Sequence, residues 1–302
     1  MTRSRAGAVP RVTVGVPVYN GEKYLGAALD SVRAQTVEDI EIVISDNAST
    51  DGTEEICRQA ARDDERVVYH RAPVNQGGAW NFNRLVELAR APYFTWAAAD
   101  DVRRPAFVER CLDALEAAGP GTVLAFPRTQ IIDSAGRITE DLNDTELHID
   151  DPEPHRRITR LLRAHAGHVV YGLHRTEALR ATRGIRRNVC NDFVLLTELA
   201  CLGPFALVPE QLFLQRRHSE QSSAQGNNMV KWHAPQARVR FAFPFTKVNL
   251  ELYSGVAGAP LPAGPKLRSL AALPYAWTLP QWRSVASDVR TALGVAPRTV
   301  AR

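Results

Sequence analysis

Two periodicities alternate along residues 12 to 128, and that alternation constrains this chain more than any other feature. The segment VTVGVPV carries valine at 12, 14, 16 and 18, the period of two expected of a strand. In EKYLGAALDSVRAQ, Leu25, Leu29 and Val32 recur instead at helical spacing. IEIVIS (40–45) reads as a second strand. The helix after it opens in DGTEEICRQAARDD, with Asp51 or Thr53 as N-cap and Glu54 and Glu55 in the first turn. RVVYHRA (66–72), GAWNFNRLVELAR (78–90), YFTWAAA (93–99), PAFVERCLDALEAAG (105–119) and VLAFPR (123–128) continue the series as strand, helix, strand, helix, strand. A β-α-β-α-β-α-β-α-β order predicts an α/β fold whose mainly parallel sheet is flanked by helices.

After residue 130 the alternation stops. Residues 133–155 are acidic and loop-like, helical runs are expected at 156–166, 175–183 and 191–202, and PFALVPEQLFLQRRH reads as a strand. EQSSAQGNNMV (220–230) has the composition of a mobile loop, and PLPAGP that of a linker before two final amphipathic pieces. The expected organisation is therefore an α/β half over 1–130, a second half of the same domain over 131–228, and a C-terminal helical extension over 229–302.

A net charge of +4 with scattered arginines suits an anionic small molecule and does not call for nucleic acid. The four cysteines, Cys57, Cys111, Cys190 and Cys201, form no CxxC pair and read as reduced core residues. The basic N-terminus lacks the apolar stretch of a signal peptide, and no apolar run is long enough to span a bilayer, so the expected location is the cytoplasm. Trp232, Trp277, Trp282 and the arginines of the tail allow peripheral docking at the inner face of the membrane or a homodimer contact. More simply, they pack the tail back on the domain.

In parallel sheets ligands bind beyond the carboxyl ends of the strands. The segments there are PVYN, SDNASTD, APVNQGG and AAADD. Asp100 and Asp101 end an apolar strand, where adjacent carboxylates are costly unless a cation joins them. A divalent metal completed by phosphates would serve; helix capping by Asp101 is the plainer alternative. Asp46 follows the second strand and could accept a hydrogen bond from a nucleobase, or could belong to an ordinary turn with Asn47, Ser49 and Thr50. Gly77 and Gly78 permit close backbone approach at a helix N-terminus, which favours phosphate. Asp192 opens a helix as N-cap or general base. Arginine in RRHSEQS (216–222) suits pyrophosphate, and His218 can bind metal or stand solvated.

Taken together, TVGVPVYNGEKYL (13–25), VISDNASTDGT (43–53), NQGG (75–78), YFTWAAADD (93–101), FPRTQIID (126–133) and NDFVLLTELACLGPF…LFLQRRHSEQS resemble the family 2 inverting nucleotide-sugar glycosyltransferases of the GT-A fold. The resemblance covers roughly residues 11–223. It implies that Asp46 holds the donor's nucleobase while Pro17, Tyr19, Asn20 and Glu22 line the base and ribose pocket. The NQGG turn, with Asn75 and Gly77, would border the nucleotide. Asp100 and Asp101, with His218 nearby, would hold Mg²⁺ or Mn²⁺ against the diphosphate, and Arg217 would reach the donor. Asp192 would be the catalytic base that deprotonates an acceptor hydroxyl on a saccharide, a lipid-linked glycan or a secondary metabolite. Two departures stand out: alanine at 98 replaces the first acid of the usual D-x-D-D cluster, and Asn191 precedes Asp192 where the family often has Glu. Ala98 supports an alternative, a sugar-nucleotide-binding protein that has lost catalysis. A nucleotidyltransferase is a further alternative, though PVYNGEKY stands where its glycine-rich basic loop belongs. The absent GxGxxG disfavours a dinucleotide-dependent oxidoreductase.

Overall fold

The structure, a computed structural model, describes residues 9–219, 221 and 243–292. Its elements run β1 (Val12–Val18), α1 (Glu22–Arg33), β2 (Ile40–Asp46), α2 (Thr53–Asp63), β3 (Val67–Arg71), α3 (Gly78–Leu88) and β4 (Tyr93–Trp96). β5 (Val102–Arg103), α4 (Phe107–Ala117), β6 (Leu124–Ile132), β7 (Ile138–Asp141), α5 (Pro154–Arg163), β8 (Leu173–Arg175), α6 (Thr176–Arg180), α7 (Asn191–Leu202) and β9 (Phe205–Arg216) follow. The C-terminal extension holds α8 (Pro244–Gly258), α9 (Ala263–Leu273), a π-helical turn (Pro274–Thr278) and α10 (Trp282–Ala292).

The strands form one sheet in the order β3-β2-β1-β4-β8-β6-β9-β5, with β7 on β6. β1, β2, β3 and β4 pair in parallel, and β6 pairs in parallel with β9. β8 lies antiparallel to both β4 and β6. Two reversals cancel, so β6 and β9 point the same way as β1 to β4. The carboxyl ends of six strands therefore share one edge, and Asp46, Asp100 and Arg216 arrive there together. β1 and β2 are buried along their whole length, as strands covered on both faces must be.

Several expectations shift. Residues 133–155 are not all loop: Asp133 Oδ1 accepts from the Ala135 and Arg137 N–H groups, and Gly136 takes φ +83°. That turn folds β7 back on β6 as a hairpin whose exposed edge carries Thr, Glu and Asp. β6 continues to Ile132, four residues past the expected end, because β9 pairs with it throughout. PLPAGP is not a free linker, since α9 starts at Ala263 with Pro262 as its cap. The loop expected at 220–230 lies outside the described residues apart from Gln221, as does Trp232. The extension packs inward: Val248, Leu252, Val256, Leu273 and Trp277 join the core cluster that contains α7 and α5. α7 is apolar on every side and buried throughout, the mark of a helix enclosed by others. Cys57, Cys111 and Cys201 are buried and Cys190 half-buried, all four as free thiols. No helix among the described residues is long and apolar enough to cross a membrane.

Candidate active site

Around β1 and β2 the strand-end loops are tied to each other. Asp46 is fully buried. One of its carboxylate oxygens accepts the Ser49 N–H at 2.8 Å; the other accepts the Tyr69 hydroxyl at 2.8 Å and the Arg71 guanidinium. Pro17 is buried in β1, whereas Tyr19 stands exposed. Asn20 adopts a left-handed conformation (φ 51°), which lets its N–H reach Ser49 Oγ and its Oδ1 accept the Thr50 N–H. Asp51 accepts the Glu22 N–H with one oxygen and the Thr53 N–H with the other, so one carboxylate caps two helices. Glu22 in return accepts the Gly52 N–H at 2.9 Å. Asn47 Nδ2 donates to Asn75 Oδ1, and that oxygen also accepts the Gly77 N–H. Gly77 sits at φ +88°, in the left-handed region that favours glycine.

Across β4 the arrangement changes. A cavity of about 410 Å³ is lined by Asp100, Asp101, Gly167, His168, Asp192, Phe193, Arg216 and Arg217 among others. Asp101 is buried and accepts the Arg216 N–H at 2.8 Å. Burial, and then the neighbouring Asp100 charge, raise its carboxyl well above the usual range. Asp100 is more open and meets His218 Nε2 at 3.0 Å. His218 is not solvated: its ring stacks 4.8 Å from Tyr24, and its Nδ1 is buried with no partner among the described residues. The Arg216 guanidinium lies 4.8 Å over the same tyrosine and donates to the Asp100 carbonyl. Arg217 forms an ion pair with Glu140 at 2.7 Å on β7.

Asp192 occupies the first turn of α7. The preceding Cys190 has φ 51°, and Asp192 Oδ1 accepts the Phe193 N–H at 3.0 Å. Burial raises its carboxyl above the ordinary aspartate value, against its own helix N–H bonds and the charge of His168. Gly167 makes room for it: a Cβ there would lie 2.2 Å from Asp192 Oδ2. The adjacent His168 is held by Asp144, whose Oδ1 meets its Nε2 at 2.8 Å while Oδ2 accepts the Thr129 N–H from β6.

Residues 13–179 match Glycosyl transferase family 2, more than half of the chain. The chain belongs to that family. Chondroitin synthase of Escherichia coli is 25% identical over 225 residues, 74% of this chain and 31% of that protein. The putative glycosyltransferase EpsH of Bacillus subtilis is 32% identical over 149 residues, 48% of this chain and 41% of that protein. The chain thus spans less than half the length of these curated relatives. Among solved structures, residues 1–349 of S. aureus TarS in complex with UDP-GlcNAc superimpose with a TM-score of 0.65 at 15% identity, covering 95% of this chain and 82% of that one. The mannosyltransferase PcManGT of Pyrobaculum calidifontis, in complex with GDP-Man and Mn²⁺, gives 0.58 at 16% identity, covering 96% and 77%. The GT-A type fold expected from the sequence is the fold observed.

Within this family 2 chain, the cavity brings together Asp100, Asp101, Asp192 and Arg217, with His218 against Asp100. Asp46 and Glu22 lie across β1 and engage the chain's own donors. Asp100 and His218 offer a carboxylate oxygen and an imidazole nitrogen within one hydrogen bond of each other, and Asp101 adds a carboxylate whose ionised form lacks full compensation. These residues fit a divalent cation held by few protein ligands and completed by diphosphate and water. No cluster of three such groups poised around one point occurs among the described residues. Several site residues escaped the sequence reading. Arg71 and Tyr69 on β3 and Tyr24 on α1 sit at ordinary helix and strand positions that nothing local distinguishes. Arg103 could have been flagged by DDVRR, a cation two residues past the aspartates. It is buried, stacks 4.8 Å over Phe107, and burial lowers its pKa to about 10. Asp144, His168 and Gly167 lie in stretches whose pairing only the folded chain reveals.

Proposed function

We propose that this chain is an inverting glycosyltransferase that moves a sugar from a nucleoside-diphosphate sugar to an acceptor hydroxyl. The observation that carries the reading is the cavity that joins Asp192 to the Asp100–Asp101 pair at the carboxyl edge of the sheet. The UDP-GlcNAc and GDP-Man held by the two structural neighbours support a donor of that class. In this reading the ionised Asp192 takes the acceptor's hydroxyl proton. The hydroxyl oxygen then bonds to the anomeric carbon as the bond to the diphosphate oxygen breaks on the opposite face, and the nucleoside diphosphate leaves with that electron pair. No covalent intermediate is required, and base catalysis contributes on the order of 10²- to 10⁴-fold.

Asp100 and His218, with Asp101 behind them, would hold Mg²⁺ or Mn²⁺, which when bound offsets the charge on the departing diphosphate. Arg217 reaches the same phosphates once it releases Glu140, as arginine suits pyrophosphate. Pro17, Tyr19, Asn20, Glu22, Asn75 and Gly77 border the base and ribose. Asp46 takes a nucleobase N–H only if Arg71 or Tyr69 yields its place on the carboxylate. His168, fixed by Asp144, stands beside Asp192 and orients the acceptor. The test is a thermal-shift panel of UDP-, GDP- and dTDP-sugars with and without Mn²⁺, followed by donor hydrolysis. One nucleotide class should raise the melting temperature selectively, and hydrolysis should require Asp192. Stabilisation without any turnover on a range of acceptors would instead favour the binding protein suggested by Ala98.

A further inference from the structure

Seven of the twelve large apolar side chains that stand exposed among the described residues lie in residues 243–292. Four of them, Tyr275, Leu279, Trp282 and Val289, are spaced four, three and seven residues apart, which is one stripe of a helical segment. Leu279 is 63% exposed and Trp282 59%. On the inner side of the same segment Ala276, Trp277 and Asp288 are buried, with Trp277 packed 5.1 Å from Phe193. Packing on the domain thus accounts for the inner face and leaves the outer stripe unexplained. An apolar patch of this kind marks an interaction surface.

The charges beside the stripe are cationic. The Arg163 guanidinium lies 4.5 Å over the Tyr275 ring and that of Arg283 lies 5.6 Å over Trp282, while Arg290 follows Val289. Both acids of residues 243–292 are engaged internally: Glu251 pairs with Arg183 and Arg186, and Asp288 accepts the Thr246 N–H and hydroxyl. A second copy of the chain docked here about a two-fold axis would bring arginine against arginine. An anionic surface meets no such penalty.

We propose that this stripe docks on a lipid bilayer that carries anionic headgroups. Tyr275 and Trp282 take the headgroup level, Leu279 and Val289 enter the acyl boundary, and Arg163, Arg283 and Arg290 meet the phosphates. The test is co-sedimentation of the full chain with vesicles of phosphatidylcholine alone, or of equal parts phosphatidylcholine and phosphatidylglycerol. Neither donor nor acceptor is present, so the outcome is independent of the transfer reaction proposed above. The chain should bind the anionic vesicles and be released by high salt. Leu279→Glu with Trp282→Glu should lower the bound fraction about tenfold. Arg283→Gln with Arg290→Gln should lower it about tenfold on anionic vesicles only. Unchanged melting temperatures would show that the variants fold. Failure of the chain to bind, equal binding to both vesicles, or a dimer that the Leu279→Glu/Trp282→Glu variant dissolves would each overturn the proposal.

Discussion

The loops after β1 and β2 and the wall formed by β4, β9 and α7 use carboxylates in opposite ways. In the first region Asp46, Asp51 and Glu22 accept backbone N–H groups, and Asp46 also takes a hydroxyl and a guanidinium, so the chain satisfies its own acids. In the second, burial raises Asp101 and Asp192, and His218 keeps a buried nitrogen with no partner among the described residues. A satisfied network holds a shape; groups left short of partners favour whatever ligand supplies them. The first region thus works as a preformed frame and the second as the place where chemistry can occur.

The sharpest way to break this contrast is Asp192→Asn. Turnover should fall by about 10²- to 10⁴-fold with donor affinity nearly intact, as measured by steady-state rates beside nucleotide titration. Full turnover in that variant would remove Asp192 from the mechanism. Gly167→Ala comes next: its methyl group would push the Asp192 carboxylate aside, and displacement of about 1 Å can cost about 10²-fold in rate. Circular dichroism should show the fold kept while kcat drops. In the frame, Gly52→Ala would crowd the Glu22 carboxyl, whose carbon would lie 2.7 Å from the new Cβ. Its effect should be smaller, roughly tenfold at most, and should appear in donor KM rather than kcat.

Acidity separates the regions further. Asp192 must be ionised to act, and its carboxyl is raised by burial, so kcat/KM should fall as pH drops through that raised value, at a higher pH than an exposed aspartate would give. The charge of His168 opposes the shift, so His168→Gln should move the acidic limb upward. Stability gives the smallest signal. A carboxyl raised in the folded state favours folding below its unfolded pKa and loses that contribution as pH rises through the folded value. Asp101→Asn should therefore raise the melting temperature at neutral pH by about 2 °C, an increment that fades in acid.

Much of the frame was legible in the sequence because its rules are local. Period-two valines, helical leucines and turn formers announced β1 to β4 and α1 to α3, and the strand-end rule pointed to Asp46, Asp100 and Asp101. Asp192 was visible as a helix-opening carboxylate, but its neighbours were not. Gly167, His168 and Asp144 meet it through contacts between residues far apart in sequence, and no periodicity encodes those. Nor could the tail's tryptophans be sorted by type: Trp277 is buried and Trp282 exposed because they fall on opposite sides of one helical segment.

The π-helical turn at 274–278 stands between inward Trp277 and outward Leu279. Each residue of a helix advances the azimuth by about 100°. Deleting a single residue there would swing everything downstream by that angle, carrying Trp282 and Val289 from the rim and tearing Asp288 from Thr246. Side chains at 275 or 279 can be exchanged without disturbing the seat of Trp277, but the spacing cannot be altered: in this stretch, selection acts on length before it acts on letters.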